Sequence, residues 1–177
     1  MSIDAHEAGD RPLIRAADLS GSDADEVGAA VRAYLQQTER EKLQQGGVLA
    51  PDVPMLPEHY LREVEDPAAA YTGHLVLVAE LADRIVGVVV LAGNGGFAEV
   101  KRLWAVPEVR GRGVGSALLD AAVRAATTLR AAEVRLSVWE WRERAMRLYE
   151  SRGFVRVPSW DARERLVCLS RPITGRV

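Results

Sequence analysis

The fold is decided by a glycine-rich stretch, residues 109–119, which reads VRGRGVGSALL and places Gly111, Gly113 and Gly115 at every second position. Glycine has no Cβ, so such a stretch turns tightly and lets a ligand approach the backbone. From Gly115 onward the apolar residues recur at helical spacing: Leu118, Ala121, Ala122, Ala125 and Leu129. Because the unpaired N–H groups at a helix N-terminus favour phosphate, the stretch predicts an anion-binding turn that opens a helix.

Spacing separates this turn from two other phosphate-binding motifs. A dinucleotide fingerprint G-x-G-x-x-G would need glycine at position 116 or 118, where serine and leucine stand. A Walker loop needs Gly-Lys-Ser/Thr, and no lysine lies between positions 102 and 177. The pattern that fits is Arg-x-x-Gly-x-Gly, formed by Arg110, Gly113 and Gly115.

A second motif lies downstream, where a strand-like LSV at 136–138 precedes AMRLYESRGF at 145–154. Together the two motifs resemble those of the GNAT superfamily of acyl-CoA-dependent N-acetyltransferases, which has A-x-x-L-Y-E-x-x-G-F in this place. The resemblance covers residues 76–157 well, and the flanks only by element order. The family usually has Asn three residues before the alanine. Here that position is Arg142, which is suited to meet a phosphate instead.

The resemblance implies acetyl-CoA as co-substrate and no metal. Amides of the turn would hold the pyrophosphate, and the preceding strand would pair with the pantetheine arm as an added strand. In the family this strand and the strand at 134–138 part to admit the cofactor, so N–H groups near Ala105 would polarise the thioester oxygen. The implied cofactor-binding residues are Leu103, Trp104, Ala105, Arg110, Gly111, Arg112, Gly113, Val114, Gly115, Ser116 and Arg142.

Catalysis in the resembled family proceeds by direct attack of an amine on the thioester in a ternary complex. Tyr149 matches the family's tyrosine, and a phenol with a reference pKa of about 10 is a suitable proton donor to the departing thiolate. The alternative is a half-buried tyrosine that only packs beside Leu148.

The acceptor amine also needs a base, because it is mostly protonated at neutral pH. Glu99, on the strand that enters the turn, is our candidate, since some relatives place a glutamate there. The alternative is a surface carboxylate paired with Lys101 or Arg102. Glu140 is the next candidate, whereas ordinary hydrogen bonds are expected for the histidines at positions 59 and 74.

Three tryptophans, Trp104, Trp139 and Trp141, lie near the ends of the two parting strands. They predict an aromatic wall at the acceptor entrance, suited to a cationic amine by cation–π attraction. Core packing is an equal alternative for Trp104 and Trp139, and Trp141 is expected to be exposed. In this fold acceptor specificity lies mostly in the first two helices and the loop at 46–60.

Charge and composition narrow the function classes. The net charge of −2 argues against nonspecific nucleic-acid binding, and no apolar run is long enough to cross a bilayer. Residues 1–99 hold 17 acidic and 7 basic residues, whereas residues 100–177 hold 8 and 16. A basic half that contains the glycine turn suits the phosphates of coenzyme A, although a solvated charged surface would look the same. We expect a cytoplasmic protein with a buried, inert Cys168.

The order of elements predicts an α/β (α+β) domain. It starts with a strand at 12–15, a helix capped by Ser20 or Ser22 and closed at 46–47, and a short helix near 58–64, followed by a turn. Three antiparallel strands follow, then a helix to about Ala132, a strand at 134–138, a helix at 143–151 and two closing strands near 154–157 and 166–169.

The resemblance implies the acyl-CoA N-acyltransferase fold, a mixed, mostly antiparallel sheet of about seven strands with about four helices. We expect residues 1–10 to be a flexible tail and residues 11–177 to form one domain. The expected activity is N-acetylation of a primary amine of a small molecule, peptide or protein, and homodimers are frequent in the family. A non-catalytic acyl-CoA-binding domain is the alternative, favoured by Arg142 in place of Asn.

Overall fold

The structure, a computed structural model, describes residues 11–47, 49, 51–52 and 54–174. The predicted tail at 1–10 lies outside the described residues. Within the described part of the chain, seven strands form one sheet in the order β1-β2-β3-β4-β5-β7-β6. The strands and helices are β1 Leu13–Ala16, α1 Ala24–Gln45, α2 Glu58–Glu65, α3 Pro67–Ala70, β2 Leu75–Leu81, β3 Arg84–Asn94, β4 Phe97–Ala105, α4 Val114–Thr128, β5 Glu133–Trp139, α5 Glu143–Ser151, β6 Val155–Val157 and β7 Leu166–Pro172.

Neighbouring strands are antiparallel except for the central pair β4 and β5. The predicted mixed, mostly antiparallel sheet of about seven strands is therefore confirmed. The described residues contain five α-helices rather than about four, because the predicted turn after α2 forms the short helix α3.

The sheet separates two apolar cores because successive side chains of a strand point to opposite faces. In β2, Val76 and Val78 pack beneath α1 and α2, whereas Leu77 and Ala79 pack beneath α4. The buried residues of α5 belong to the same core as α4. Helices α1 to α3 thus cover one face of the sheet, and α4 and α5 cover the other.

The start of α1 differs from the prediction. The helix begins at Ala24 after Asp23, and no side chain caps its N-terminus. The carboxylate of Asp23 instead accepts hydrogen bonds from Arg15 (2.6 Å) and from the N–H of Asp18 (2.7 Å). The predicted serine cap is therefore wrong: the buried Asp23 joins the helix start to the edge strand β1.

Other boundaries shift by a few residues. Helix α4 ends at Thr128 rather than near Ala132, because Arg130 adopts a left-handed backbone conformation (φ 55°) and the chain turns into β5. Strand β7 continues to Pro172 because it pairs with the whole length of β5. The predicted hairpin between β2 and β3 is confirmed: Ala82 and Asp83 both have positive φ, as a tight two-residue turn requires.

The central feature for function is the gap between β4 and β5. The two strands pair only where Phe97–Glu99 face Glu133–Arg135. Beyond Glu99 strand β4 keeps its partner β3 but has no described neighbour strand on its other side. The predicted parting of these two strands is thus present, and it opens the sheet between its two faces.

Candidate active site

The glycine turn begins α4 as the sequence predicts. Gly111 (φ 82°) and Gly113 (φ 80°) have left-handed backbones, a conformation that costs other residues about 1–2 kcal/mol. The first hydrogen bond of the helix joins the N–H of Ala117 to the carbonyl of Gly113 (2.9 Å). The N–H groups of the three residues before Ala117 precede that bond, so they are available to an anion.

The last residues of β4 offer a free backbone edge beside the turn. The N–H of Val106 donates to the carbonyl of Val86 in β3 (2.9 Å), and alternate residues of a strand bond to opposite sides. The backbone of Ala105 therefore faces away from β3, and its carbonyl accepts a hydrogen bond from Arg110 Nε (3.1 Å). This edge can pair with an extended ligand as an added strand would.

Turn, strand edge and α5 together enclose a groove of about 880 Å³. All but one of the predicted cofactor-binding residues line it: Leu103, Trp104, Ala105, Arg110, Gly111, Gly113, Val114, Gly115, Ser116 and Arg142. Arg112 is exposed and lies outside the lining. Arg144 and Arg147 of α5 also line the groove, and sequence analysis missed them although Arg147 lies inside the second motif and Arg144 directly precedes it.

Arg110 folds back over the strand instead of pointing outward. Its guanidinium carbon lies 4.4 Å from the centre of the Trp104 ring, and Nη2 donates to Gln37 of α1 (3.0 Å). Burial lowers the pKa of Arg110, with a further contribution from nearby Arg142. Trp104 is buried, and its Nε1 has no hydrogen-bond partner among the described residues. The Trp104 ring is therefore a wall of the groove and part of the core.

A second opening lies on the other side of the parted strands, a cavity of about 390 Å³. Strand β4 contributes residues 99–103 to it, strand β5 contributes residues 136–139, and α1 and α2 complete the wall. The groove and the cavity share five lining residues: Tyr34, Leu103, Arg142, Ala145 and Tyr149.

Tyr149 lies at this junction, where the sequence places a proton donor. It is 8% exposed and contacts the Phe154 ring edge-on at 6.1 Å between centroids. Burial raises the pKa of Tyr149 well above its usual value, and Tyr34 raises it further, whereas Arg142 opposes the shift. A phenol with a raised pKa stays protonated at neutral pH and can serve as an acid.

Glu99 lines the cavity at the point where β4 and β5 separate. Its carboxylate lies 3.3 Å from Lys101 Nζ, so the predicted ion pair coexists with access to the cavity. Glu140, the next candidate for the base, is exposed, pairs with Arg165 and lines neither opening. Of these two carboxylates, Glu99 lines the cavity and Glu140 does not.

Arg142 joins α5 to α1 at the junction of the two openings. Its Nε donates to Glu41 (2.7 Å) and its Nη2 donates to Thr38 (2.7 Å). Burial opposes the charged form, but Tyr34 and Glu41 outweigh it and the pKa of Arg142 lies above its usual value. The residue that replaces the family's usual Asn thus forms an ion pair between two helices and also lines the groove.

The floor of the cavity contains an ion pair that sequence analysis missed. Arg102 Nε and Nη2 each donate to Glu63 of α2 at 2.7 Å, and the Tyr71 hydroxyl donates to the same carboxylate (2.8 Å). Arg102 has a positive φ (54°) within an irregularity of the β3–β4 ladder. Such a bulge redirects side chains, and no local signal in the sequence indicates it.

The tryptophans do not form the single cluster that the sequence suggested. Trp139 and Trp141 stack with centroids 4.9 Å apart, whereas Trp104 packs in the core beneath α1. Trp141 is half-buried rather than exposed, and its Nε1 donates to Glu41 (3.0 Å). The wall at the mouth of the cavity is therefore formed by Trp139, which lines it directly.

His59 also lines the cavity, against Tyr60, with ring centroids 4.0 Å apart. His74 packs beside Tyr71 and lines neither opening.

Among the described residues no group of three or more His, Cys, Asp or Glu side chains is placed to hold a metal ion. In the same residues no helix is both long and apolar enough to cross a membrane.

The parted central strands, the glycine turn and the strand order define the acyl-CoA N-acyltransferase fold. A sequence model of the acetyltransferase (GNAT) family matches residues 39–154. The chain belongs to this family of acyltransferases, whose members generally catalyse acyl-CoA-dependent N-acetyl transfer. The sequence matches no curated protein significantly.

Solved structures support the fold. A GNAT acetyltransferase from Staphylococcus aureus Mu50 superposes with a TM-score of 0.69 at 13% identity, covering 92% of this chain and 99% of the other. PaiA N-acetyltransferase from Thermoplasma acidophilum, in complex with coenzyme A, superposes with a TM-score of 0.65 at 16% identity, covering 92% of this chain and 99% of the other. A GNAT acetyltransferase from Elizabethkingia anophelis with acetyl-CoA bound superposes with a TM-score of 0.61 at 15% identity, covering 93% of this chain and 99% of the other.

Proposed function

We propose that this protein transfers the acetyl group of acetyl-CoA to a primary amine of a small molecule or peptide, by direct attack in a ternary complex. The observation that carries the proposal is the meeting of two openings at Tyr149, one on each side of the parted strands. One opening suits a thioester carrier and the other suits an acceptor, so the two substrates can be present together. The coenzyme A and acetyl-CoA bound to two structural relatives favour the same carrier.

The groove would hold the carrier mainly through backbone groups. Its diphosphate would lie at the amides of residues 111–116, and its pantetheine arm along residues 103–105. Arg144 and Arg147 of α5 would add positive charge on the opposite wall. An N–H that faces the gap, such as that of Ala105, would stabilise charge on the thioester oxygen as the amine attacks.

The reaction forms one N–C bond and breaks one C–S bond. Glu99 would take the proton of the acceptor ammonium, and the neutral amine would attack the thioester carbonyl. Tyr149 would give its phenolic proton to the departing thiolate, which leaves as the free thiol of CoA. Burial raises the pKa of the phenol, which keeps it protonated at neutral pH but also makes it a weaker acid, so the proposed transfer depends on the hydroxyl being held next to the departing sulfur.

The test is amine-dependent release of CoA thiol from acetyl-CoA, measured with a panel of primary amines and confirmed by mass spectrometry of the acetylated product. A transferase releases thiol only when an acceptor is present. A non-catalytic acyl-CoA-binding domain would be stabilised against heat by CoA and would release none. That second result would overturn the proposal, and so would stabilisation by ATP but not by CoA.

A further inference from the structure

The charges that line the acceptor cavity are unequal. Five basic side chains border it: Lys42, Lys101, Arg102, Arg142 and Arg163. Only two acidic side chains, Glu63 and Glu99, do so.

The carboxylates that balance three of the bases lie away from the cavity. Lys42 pairs with Glu39 (2.6 Å), Arg142 with Glu41 (2.7 Å) and Arg163 with Asp161 (2.6 Å). None of these three acids is part of the lining. A ligand inside the cavity therefore contacts a lining in which cationic side chains outnumber carboxylates, which favours an anionic group over a cationic one.

The aromatic rings of the cavity already hold cations of the protein. Lys42 Nζ lies 5.2 Å from the centre of the Trp139 ring, and the guanidinium carbon of Arg163 lies 5.8 Å from it. The guanidinium of Arg102 lies 5.7 Å from the Tyr34 ring and 5.3 Å from the Tyr60 ring. Because these rings are already engaged by protein cations, they offer less to a cationic acceptor than the sequence suggests.

Lys42 and Arg163 stand at one end of the cavity. On α1, Lys42 lies two helical turns from Tyr34, which borders the junction with the groove. The hydrogen bond to Glu39 uses one of the three protons of the Lys42 ammonium. This end of the cavity can thus donate hydrogen bonds to an anion while an amine lies nearer to Tyr149.

We propose that the acceptor is a small amine that also carries an anionic group, a carboxylate or a phosphate, bound by Lys42 and Arg163 beside Trp139. The inference rests on the proposed acetyl transfer and names its substrate class. A cavity of about 390 Å³ suits a ligand of amino-acid size. The cationic lining also favours the unprotonated form of an amine, which is the nucleophile.

The experiment compares matched amines with and without the anionic group. Phenylalanine is set against phenethylamine for the carboxylate, O-phosphoethanolamine against ethanolamine for the phosphate, and spermidine is the polycationic contrast. We expect kcat/KM to be at least tenfold higher for the anionic member of one pair, and spermidine to be the poorest acceptor. The pair that shows the difference identifies whether the cavity prefers a carboxylate or a phosphate.

The variants Lys42→Met and Arg163→Gln should each raise KM for the amine that carries the anionic group roughly tenfold and change KM for its match without that group less than threefold. Lys42→Arg should restore the preference because it keeps the charge. Arg156→Gln is the matched control, since Arg156 is an exposed, ion-paired arginine that lines neither opening. Circular dichroism melts verify that each variant is folded.

The outcomes separate this inference from the proposed function. Turnover of amines without preference for the anionic members, or a preference that survives both variants, overturns the inference and leaves acetyl transfer standing. If no amine releases thiol but calorimetry on the CoA complex shows binding of the anionic members that the variants abolish, the anion-binding role of Lys42 and Arg163 stands, and acetyl transfer falls together with the acceptor class. If no amine is turned over and no anionic member binds, both the inference and the proposed acetyl transfer are overturned.

Discussion

The groove and the cavity lie side by side but are built in different ways. The groove takes most of its lining from two short stretches, residues 103–116 and 141–149, and offers backbone N–H groups along with a few arginines. The cavity is lined by residues from α1, α2, β4, β5, α5 and the segment before β7, elements that lie far apart along the chain. A local backbone feature can be recognised in a sequence, whereas an assembly of distant side chains cannot.

The same difference separates what is common to the fold from what distinguishes this chain. Backbone amides at a helix N-terminus can bind a diphosphate whatever the neighbouring side chains are. The groove can therefore suit the same carrier in proteins that use different acceptors. The cavity is defined by ion pairs between distant residues, such as Glu63 with Arg102 and Glu41 with Arg142. Changes in these two regions should therefore have separable effects on carrier binding, on acceptor binding and on stability.

The largest effect is expected at the junction of the two regions. Tyr149→Phe should lower kcat on the order of 10³-fold, because the thiolate loses its proton donor, and should leave the KM for acetyl-CoA within threefold. Steady-state kinetics with both substrates varied checks this. Unchanged turnover would remove Tyr149 from the mechanism.

On the cavity side, Glu99→Gln should lower kcat/KM for the amine on the order of 10²-fold, because the ammonium loses its base. Without its base the variant should react only with amine that is already neutral, so the acidic limb of its pH–rate profile should move to higher pH than that of the parent. Glu140→Gln, which changes an exposed carboxylate outside both linings, should behave as the parent does. An acidic limb that is the same in Glu99→Gln and in the parent would count against Glu99 as the base.

On the groove side, Gly113→Ala should weaken CoA binding about tenfold, because a Cβ disfavours the left-handed backbone (φ 80°) that presents the amides. Gly95→Ala is the matched control: Gly95 has φ 60° in the β3–β4 turn, and a Cβ there also meets no atom within 4 Å. Gly113→Ala and Gly95→Ala should lower the free energy of unfolding by similar amounts. Only Gly113→Ala should bind CoA more weakly in titration calorimetry. Equal affinities would show that the turn does not hold the carrier.

The Glu63–Arg102 pair should stabilise the cavity wall without touching the carrier. Burial raises the pKa of Glu63, but the hydrogen bonds and charge of Arg102 outweigh it, so the pKa lies below its usual value. A carboxyl whose pKa is lowered by folding adds stability above its unfolded pKa of about 4.3, and that stability is lost as the pH falls. Glu63→Gln should cost roughly 2 kcal/mol at pH 7 and flatten the acid dependence of the unfolding free energy.

Urea unfolding at several pH values measures this effect. Glu150→Gln is the control, since Glu150 belongs to an exposed pair with Arg156 (3.3 Å) and should change stability by less than about 0.5 kcal/mol. A Glu63→Gln variant as stable as the parent at every pH would contradict the role assigned to the pair.

The smallest effect is expected for the Trp104 side chain. Trp104→Phe removes a buried Nε1–H that has no partner among the described residues, so stability should change by no more than about 1 kcal/mol. CoA affinity should stay within twofold, because we expect the carrier to pair with the backbone of this strand, and the phenyl ring keeps an aromatic wall in the groove. A tenfold loss of affinity in calorimetry would show that the ring itself binds the carrier.

Much of the fold follows from local signals in the sequence. Continuous apolar runs predict β2 and β3, helical spacing after Gly115 predicts α4, and α5 has the predicted bounds 143–151. The errors lie where long-range contacts decide, as at Asp23, which binds Arg15 instead of capping α1. The end of α4 depends in the same way on the entry of the chain into β5.

The candidate site likewise contains residues that local signals predict and residues that only long-range contacts bring together. Residues of the turn and Tyr149 line the groove, and the sequence singles them out because each belongs to a short local motif. The positive φ of Arg102 and its pairing with Glu63, 39 positions earlier, have no local signature. Helical spacing of Tyr34, Thr38 and Lys42 on one face of α1 was a usable signal, since all three line the cavity.

The most direct test of the account is a crystal structure of the protein with CoA. The account predicts the diphosphate within hydrogen-bond distance of the amides between Gly111 and Ser116, the pantetheine arm along Leu103–Ala105, and the thiol at the junction beside Tyr149. A diphosphate bound elsewhere on the molecule, with the glycine turn left unoccupied, would contradict it.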